Sequence, residues 1–284
     1  MVRMLHSLVA IALPMLLATS AIAGPKVEEA YGPGPKAFTL ATGSPGELGL
    51  LRQLGEAYCA KAGCRLNWIK AGSGQSLDML KAGEADMIMV HAPAAEKAAL
   101  ADGWAGCSKL IGSNEFFIVG PASDPAGIAK AASAADAYAK IAASKSPFFS
   151  RGDNSGTHKK EMDTWKDAGI QPAGDWYIIT KAFMTATLQR ANDEGGYFMT
   201  DSSTWAAEKK NMPKLVVLFS GDKKLVNTYH ALCRQVDGKP TSEPAVGFID
   251  FVASPEGQRI IGSFGKDQHG EGLYNDAAYA KKYE

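Results

Sequence analysis

The sequence predicts an α/β fold of two lobes joined by two crossings. Three observations carry that expectation. Apolar runs of strand length alternate with stretches whose apolar residues recur at helical spacing, as in largely parallel sheets flanked by helices. At 284 residues the chain is long enough to bury two cores. Gly120-Pro121 reads as a first crossing, and Val226 to Cys233 as a strand returning to the first lobe.

Arg3, the apolar run Ser7 to Leu17 and Ala21-Ile22-Ala23 before Gly24 spell a secretory signal peptide over residues 1–23. The run is too short and wrongly flanked for a membrane anchor, so the chain is expected in the periplasm without membrane insertion. Residues 24–36, with Gly32-Pro33-Gly34-Pro35, read as a flexible leader. The first part of lobe 1 spans 37–120. Ala37 to Ala41 is its first strand, ending in Thr42-Gly43-Ser44-Pro45-Gly46. Leu50, Leu51, Leu54 and Tyr58 mark one face of a helix over Leu48 to Lys61. Cys64 to Ala71 is a strand, Ser76 to Ala82 a helix, Met87 to His91 a fully buried strand and Glu115 to Val119 another.

Lobe 2 spans 121–222. It holds a helix over Ser133 to Ala143, the buried strand Pro147-Phe148-Phe149, and strands at Trp176 to Thr180, Gly196 to Thr200 and Leu215 to Phe219. Residues 223–284 return to lobe 1 with the strand from Val226, and helices over Pro244 to Phe251 and Pro255 to Phe264 end the fold. Two crossings make a clamshell. Ligands of open α/β sheets sit beyond the carboxyl ends of the strands, so the cleft between the lobes is the expected site.

The formal net charge is +0, with no basic or acidic block. Nucleic acids and anionic membranes need a positive footprint that is missing here. Cys59, Cys64, Cys107 and Cys233 form an even set suited to bridges in an oxidising compartment. Three pairings are possible, and free buried thiols are the alternative. Position favours Cys59–Cys64 as a staple at a helix end, with Cys107–Cys233 between strands of lobe 1. No metal site is expected, since there is no C-x-x-C and the five His are scattered.

The most informative stretch is Ser150-Arg151-Gly152-Asp153-Asn154-Ser155-Gly156-Thr157-His158, between the strand ending at Phe149 and the helix starting near Lys159. A strand that turns through Gly and Ser into a helix aims orphan backbone N–H groups and a helix dipole at the turn, which suits an anion. Arg151 adds a fork of donors, and Ser155 and Thr157 add hydroxyls. Gly152 and Gly156 allow close backbone approach. An ordinary capped helix explains the same residues. Thr42 and Ser44, and Ser73-Gly74, offer two further hydroxyl-bearing helix entrances, and backbone N–H groups at Met184-Thr185 could close the cage. Asp153 reads as a group orienting Arg151 or capping the helix, and His91 and His158 as structural histidines.

Arg151-x-Asp153-x-Ser155-Gly156-Thr157 resembles the oxyanion-holding segment of periplasmic phosphate- and tungstate-binding proteins. The fuller run Phe149 to Glu161 is most similar to the tungstate ABC transporter substrate-binding family, as are Ala71 to Leu77 and Ala82 to Pro93. Gly221-Asp222 with Asn227 and Tyr229, and Ser254 to Gln258, also fall where that family has them. The resemblance runs from about residue 37 to 274. It implies a type II periplasmic binding protein, a monomer without cofactor or catalysis, that captures tungstate or molybdate for an ABC permease. It places Thr42, Ser44, Ser73, Gly74, Arg151, Ser155, Gly156, Thr157, Met184 and Thr185 at the ligand. Two departures from the family stand out: Ala41-Thr42-Gly43-Ser44-Pro45 replaces a run of threonines, and Ser202-Ser203 follow Thr200-Asp201 where the family commonly carries an Arg. A phosphate or other small-anion receptor, or an anion sensor, is the alternative. A hydrolase is disfavoured, because His158 beside Ser155 has no separate orienting acid and no Gly-x-Ser-x-Gly elbow exists.

Overall fold

The computed structural model describes residues 25–284. The signal peptide expected over residues 1–23 lies outside the described residues. Glu29–Tyr31, expected as part of a flexible leader, instead form an edge strand, β1, with Tyr31 opposite Leu66. Tyr31 explains the order: it is buried, and its ring packs so closely over Gly55 that an added methyl there would sit 3.1 Å away.

The first lobe continues with β2 (Lys36–Thr42), α1 (Ser44–Glu47), α2 (Leu50–Ala62), β3 (Cys64–Lys70), α3 (Ser73–Ala82), β4 (Met87–Val90) and α4 (Pro93–Ala101). α3 begins one turn before the expected Ser76, so Ser73 and Gly74 open the helix. β2 pairs in parallel with β3 and β4. Successive residues of β2 point to opposite faces, so Phe38 and Leu40 join one core with Leu51 and Phe248. Ala41 joins another, with Leu77 and Leu80, on the far side of the sheet.

β5 (Ala105–Pro121) links the lobes. Its first part pairs antiparallel with β10 (Val226–Val236), as far as Glu115 opposite Val226; from Phe116 it pairs with β8 (Tyr197–Asp201). The change of partner therefore falls at Glu115/Phe116, and Gly120-Pro121, expected at the crossing, already pair with Val216 and Leu215 in the second sheet. Gly and Pro suggested a break there. No break occurs, because β5 stays extended as an edge partner of β9 (Leu215–Phe219).

Between these strands the second lobe carries α5 (Ala134–Ser144), β6 (Phe148–Ser150), α6 (Gly156–Asp167), β7 (Tyr177–Ile179), α7 (Met184–Glu194) and α8 (Ser202–Glu208). β6 runs parallel to β7 and β8. Tyr138, Phe148, Trp165, Trp176 and Tyr177 stack edge to face along its core. The return to the first lobe falls between Phe219 and Val226. β11 (Lys239–Pro240), α9 (Glu243–Ala253), α10 (Pro255–Ser263), α11 (Lys266–His269), β12 (Asn275–Asp276) and α12 (Ala277–Ala280) follow. The two long helices do not end the fold: β12 runs back to pair with Gly112 and Ser113 of β5, beside the crossing.

Cys59–Cys64 and Cys107–Cys233 are both bridged, with Cα atoms 4.6 and 5.4 Å apart. The first closes the end of α2 onto β3. The second joins β5 to β10, the strands that carry both crossings. Among the described residues no helix is long and apolar enough to cross a membrane.

Candidate functional site

Strands of both lobes end at one cleft, and each hands over to a helix there. β2 ends at Thr42, whose buried Oγ1 donates to the Met89 carbonyl at 2.8 Å. Gly43 then turns the chain into α1, led by Ser44 and Pro45. β3 passes through Gly72 into α3, and the Ser73 hydroxyl accepts from the His91 N–H at 3.2 Å. In the second lobe β6 delivers Arg151.

The loop after Arg151 is held by its own side chains. Gly152 and Asn154 both take left-handed backbone conformations, φ 58° and 59°; at Gly152 a Cβ would also strike Ile179. Asp153 Oδ2 accepts from Arg151 Nε and Nη2 at 3.0 and 2.6 Å, and its Oδ1 accepts from the Ser155 N–H at 3.1 Å. The Ser155 hydroxyl caps α6 by accepting from the His158 N–H. His158 Nδ1 in turn accepts from the Asn154 N–H. Burial alone would favour the neutral acid at Asp153, but the Arg151 charge and the Ser155 donors reverse this and hold its pKa below the usual range. Asp153 thus acts through Arg151, fixing the guanidinium and keeping it 4 % exposed. Beneath the loop, Tyr177 donates to Glu161 at 2.6 Å and lies 3.0 Å from the Ser150 hydroxyl. Desolvation pushes the Glu161 pKa up to about 7.

These elements enclose a cavity of about 10 Å³ of room for the centre of a water molecule. Thr42, Ser44, Ser73, Arg151 and Ser155 line it, bringing five of the ten expected residues together across the cleft. The other five are placed differently. A Cβ on Gly74 would come within 2.6 Å of the Asn154 carbonyl, and one on Gly156 within 2.3 Å of the His91 ring. Both glycines therefore serve close lobe-to-lobe contact and do not line the cavity. Thr157 is buried outside the lining, and its hydroxyl meets no partner among the described residues. The Met184 side chain packs in the second core, and Thr185 sits in the first turn of α7 outside the lining. Phe183, the residue just before α7, takes the place expected for them.

Sequence reasoning missed Phe183, Met89, Glu47, Tyr229 and the role of His91, all of which line the cavity. Phe183 lies under the Arg151 guanidinium at 5.3 Å and under Lys70 Nζ at 4.4 Å from its ring centre. Glu47 pairs with Lys70 at 2.6 Å. His91 carried a signal: it ends a buried strand on the side where ligands collect. Tyr229 comes from the return strand, and its match to the family carries no ligand role by itself.

A polar chain runs behind the cavity, across the crossings. Asp201, at the start of α8, accepts from the Thr204 N–H at 2.8 Å and from Asn114 Nδ2 at 3.2 Å, and Ser44 of the opposite lobe reaches it at 3.5 Å. Asn227 Nδ2 donates to Asn114 Oδ1 at 2.7 Å. Asn114 and Asn227 lie on β5 and β10 at the point where the chain changes lobes.

The arrangement offers a buried guanidinium, small hydroxyls and helix starts around a space for a small ion. Comparison with known proteins identifies the family. The profile of the PBP superfamily domain matches residues 23–256. The chain is 34% identical over 241 residues to the tungstate-binding protein TupA of Peptoclostridium acidaminophilum, covering 84% of each. It resembles the solved tungstate ABC transporter structure of Geobacter sulfurreducens at 36% identity and a TM-score of 0.73, covering 82% of this chain and 100% of that one. The tungstate-binding protein TupA of Desulfovibrio alaskensis G20 is similar at 37% identity and a TM-score of 0.70, over 85% and 98% of the two chains. With this fold, this cleft and these relatives, the chain belongs to the PBP superfamily, among the substrate-binding proteins of the tungstate ABC transporter family.

Proposed function

We propose that the protein is a periplasmic receptor without catalytic activity that captures a tetrahedral oxyanion, tungstate or molybdate, and presents it to an ABC permease. The carrying observation is Arg151: a guanidinium 4 % exposed, locked by Asp153, facing hydroxyl-bearing helix starts of the opposite lobe. A buried, pre-oriented fork recognises oxygen pairs at little ordering cost. The relatives support the reading, being named for tungstate. Ligand-driven closure would give the permease a distinct surface to recognise.

Melting curves with tungstate, molybdate, phosphate and sulfate at equal concentration test this. A ligand at about a hundred times its dissociation constant adds about 2.7 kcal/mol of stability. The expected result is a shift with tungstate or molybdate and none with sulfate. A shift with phosphate alone would reassign the ligand.

A further inference from the structure

His91 follows β4 and lines the cavity, with Tyr229 and Phe116 against its ring at 4.9 and 6.1 Å between centres. Its Nδ1 is buried and meets no hydrogen-bond partner among the described residues. The nitrogen that meets Asn227 is therefore Nε2. The direction of that bond is set from behind. The Asp201 carboxylate can only accept, so Asn114 turns its Nδ2 toward it and presents Oδ1 to Asn227. Asn227 spends its Nδ2 on that oxygen and has its own Oδ1 left for the imidazole. With that acceptor on its side, Nε2 is the nitrogen assigned the proton, which leaves Nδ1 as a bare lone pair in the neutral ring.

The charges around this ring are only partly balanced, with Arg151 and Lys160 outweighing Asp153. Arg151 is paired with Asp153 in the loop before α6, and Glu47 of α1 with Lys70 of β3. Lys160 of α6 is surrounded by Asp163, Asp167 and Asp222. Asp201 lies behind the two asparagines, and burial keeps Tyr229 protonated. A dianion entering the cavity brings two negative charges, more than the Asp153-paired Arg151 answers, in a place poor in water. His91 is the cavity group that can gain a positive charge there. In the empty site burial, followed by the Arg151 charge, pushes its pKa down to about 3, so the ring starts neutral. A neighbouring dianion reverses the sign of that charge effect.

We propose that capture of a dianionic oxyanion takes up one proton from solution, which binds His91 Nδ1 and is donated in a hydrogen bond to a ligand oxygen. No bond of the ligand breaks; one N–H bond forms, with the buffer as proton source. The inference rests on the oxyanion-receptor reading.

Titration calorimetry of micromolar tungstate at about pH 6, in two buffers of different ionisation enthalpy, counts the protons. The expected count is about one per anion, with affinity falling by up to about tenfold per pH unit as the bound imidazole titrates. His91→Gln keeps a nitrogen for Asn227 but cannot titrate, and should remove both the buffer dependence and the pH slope. Nitrogen NMR of histidine-labelled wild type gives a second readout, independent of the variant's folding: His91 Nδ1 should pass from a bare to a protonated nitrogen on adding tungstate. Equal heats in both buffers with tungstate bound, or an Nδ1 that stays bare in the complex, overturns the proposal. Failure of tungstate and molybdate to bind at all would strike the receptor reading itself.

Discussion

The two lobes meet the same cavity with opposite means. The first offers uncharged groups, Thr42, Ser44, Ser73 and His91, and a carboxylate, Glu47, neutralised by Lys70, on a sheet packed on both faces and stapled by two disulfides. The second offers one charge, Arg151, on a loop braced by Asp153, Asn154 and His158, over a core that carries a buried carboxyl, Glu161, and no bridge among the described residues. Rigidity and charge are thus separated: one jaw is a stiff neutral wall, the other a charged fork on a self-bracing loop. The division can be broken from either side, and the sizes of the effects should follow it.

The largest effect should fall on the stapled side. Cys107–Cys233 closes a loop of 126 residues that contains the second lobe, whereas Cys59–Cys64 spans five. Chain entropy assigns the long loop about 5 kcal/mol and the short one about 2 kcal/mol. Urea unfolding of the Cys107→Ser/Cys233→Ser and Cys59→Ser/Cys64→Ser double variants measures both. Equal losses would show that the bridges act through native packing of lobe 1 and not through the unfolded chain.

On the charged side, Arg151→Ala should cost about 2–5 kcal/mol of oxyanion binding, because a buried dianion would lose the guanidinium fork that lines the cavity. Arg151→Lys should recover part, since an ammonium cannot reproduce the planar fork held by Asp153. The unliganded protein should lose some stability as well, because Asp153 is left without its partner. Calorimetric titration and ligand-free melting of both variants check this. Normal binding by Arg151→Ala would reduce the loop to a capped helix.

The contrast between the jaws also explains what the sequence made legible. Local features were readable: the Arg151 loop, the hydroxyls of Thr42, Ser44 and Ser73, and the alternation of strands and helices all rest on spacing within one turn or one strand. The two bridges followed from the positions of four cysteines. What escaped depends on distant partners. Tyr31 becomes ordered only because Gly55 lets it pack, and β5 runs straight through Gly120-Pro121 because β9 pairs beside it. Gly74 and Gly156 sit at helix entrances that read as anion-binding, but their missing side chains make room for the opposite lobe. Tyr229 reaches the cavity through the pairing of β10 with β5, where it lies opposite Gly112, a placement that no single segment encodes.

The contact between the jaws is the next lever. Gly156→Ala would drive a methyl into the His91 ring, whereas Gly72→Ala would meet Ser155 Cβ at 3.0 Å, tight but adjustable. Gly156→Ala should therefore weaken binding by about 1–3 kcal/mol, the usual cost of overpacking, and Gly72→Ala by less. The loss should appear mainly as faster ligand release, with ligand-free melting little changed, since the clash arises where the lobes meet. Stopped-flow release rates give the comparison. A large drop in ligand-free melting for Gly156→Ala would place the clash inside one lobe's fold.

The smallest expected effects separate the two jaws most cleanly, because they compare one hydroxyl with another. Ser155 has two tasks: it lines the cavity and its Oγ caps α6 by accepting from the His158 N–H at 3.3 Å. Ser44 lines the cavity too, but α1 takes no side-chain cap from it, and its reach to Asp201 is 3.5 Å, at the limit of a useful bond. Each hydroxyl should contribute about 1 kcal/mol to binding an anion, the net worth of one neutral donor. Only Ser155 should also contribute to the ligand-free fold, by about 1 kcal/mol for the lost cap. Ser155→Ala should therefore lower both affinity and ligand-free melting, and Ser44→Ala affinity alone. Equal melting losses would mean that the Ser44–Asp201 contact already holds the lobes together before any ligand arrives, and the neutral jaw would then be a latch as well as a wall.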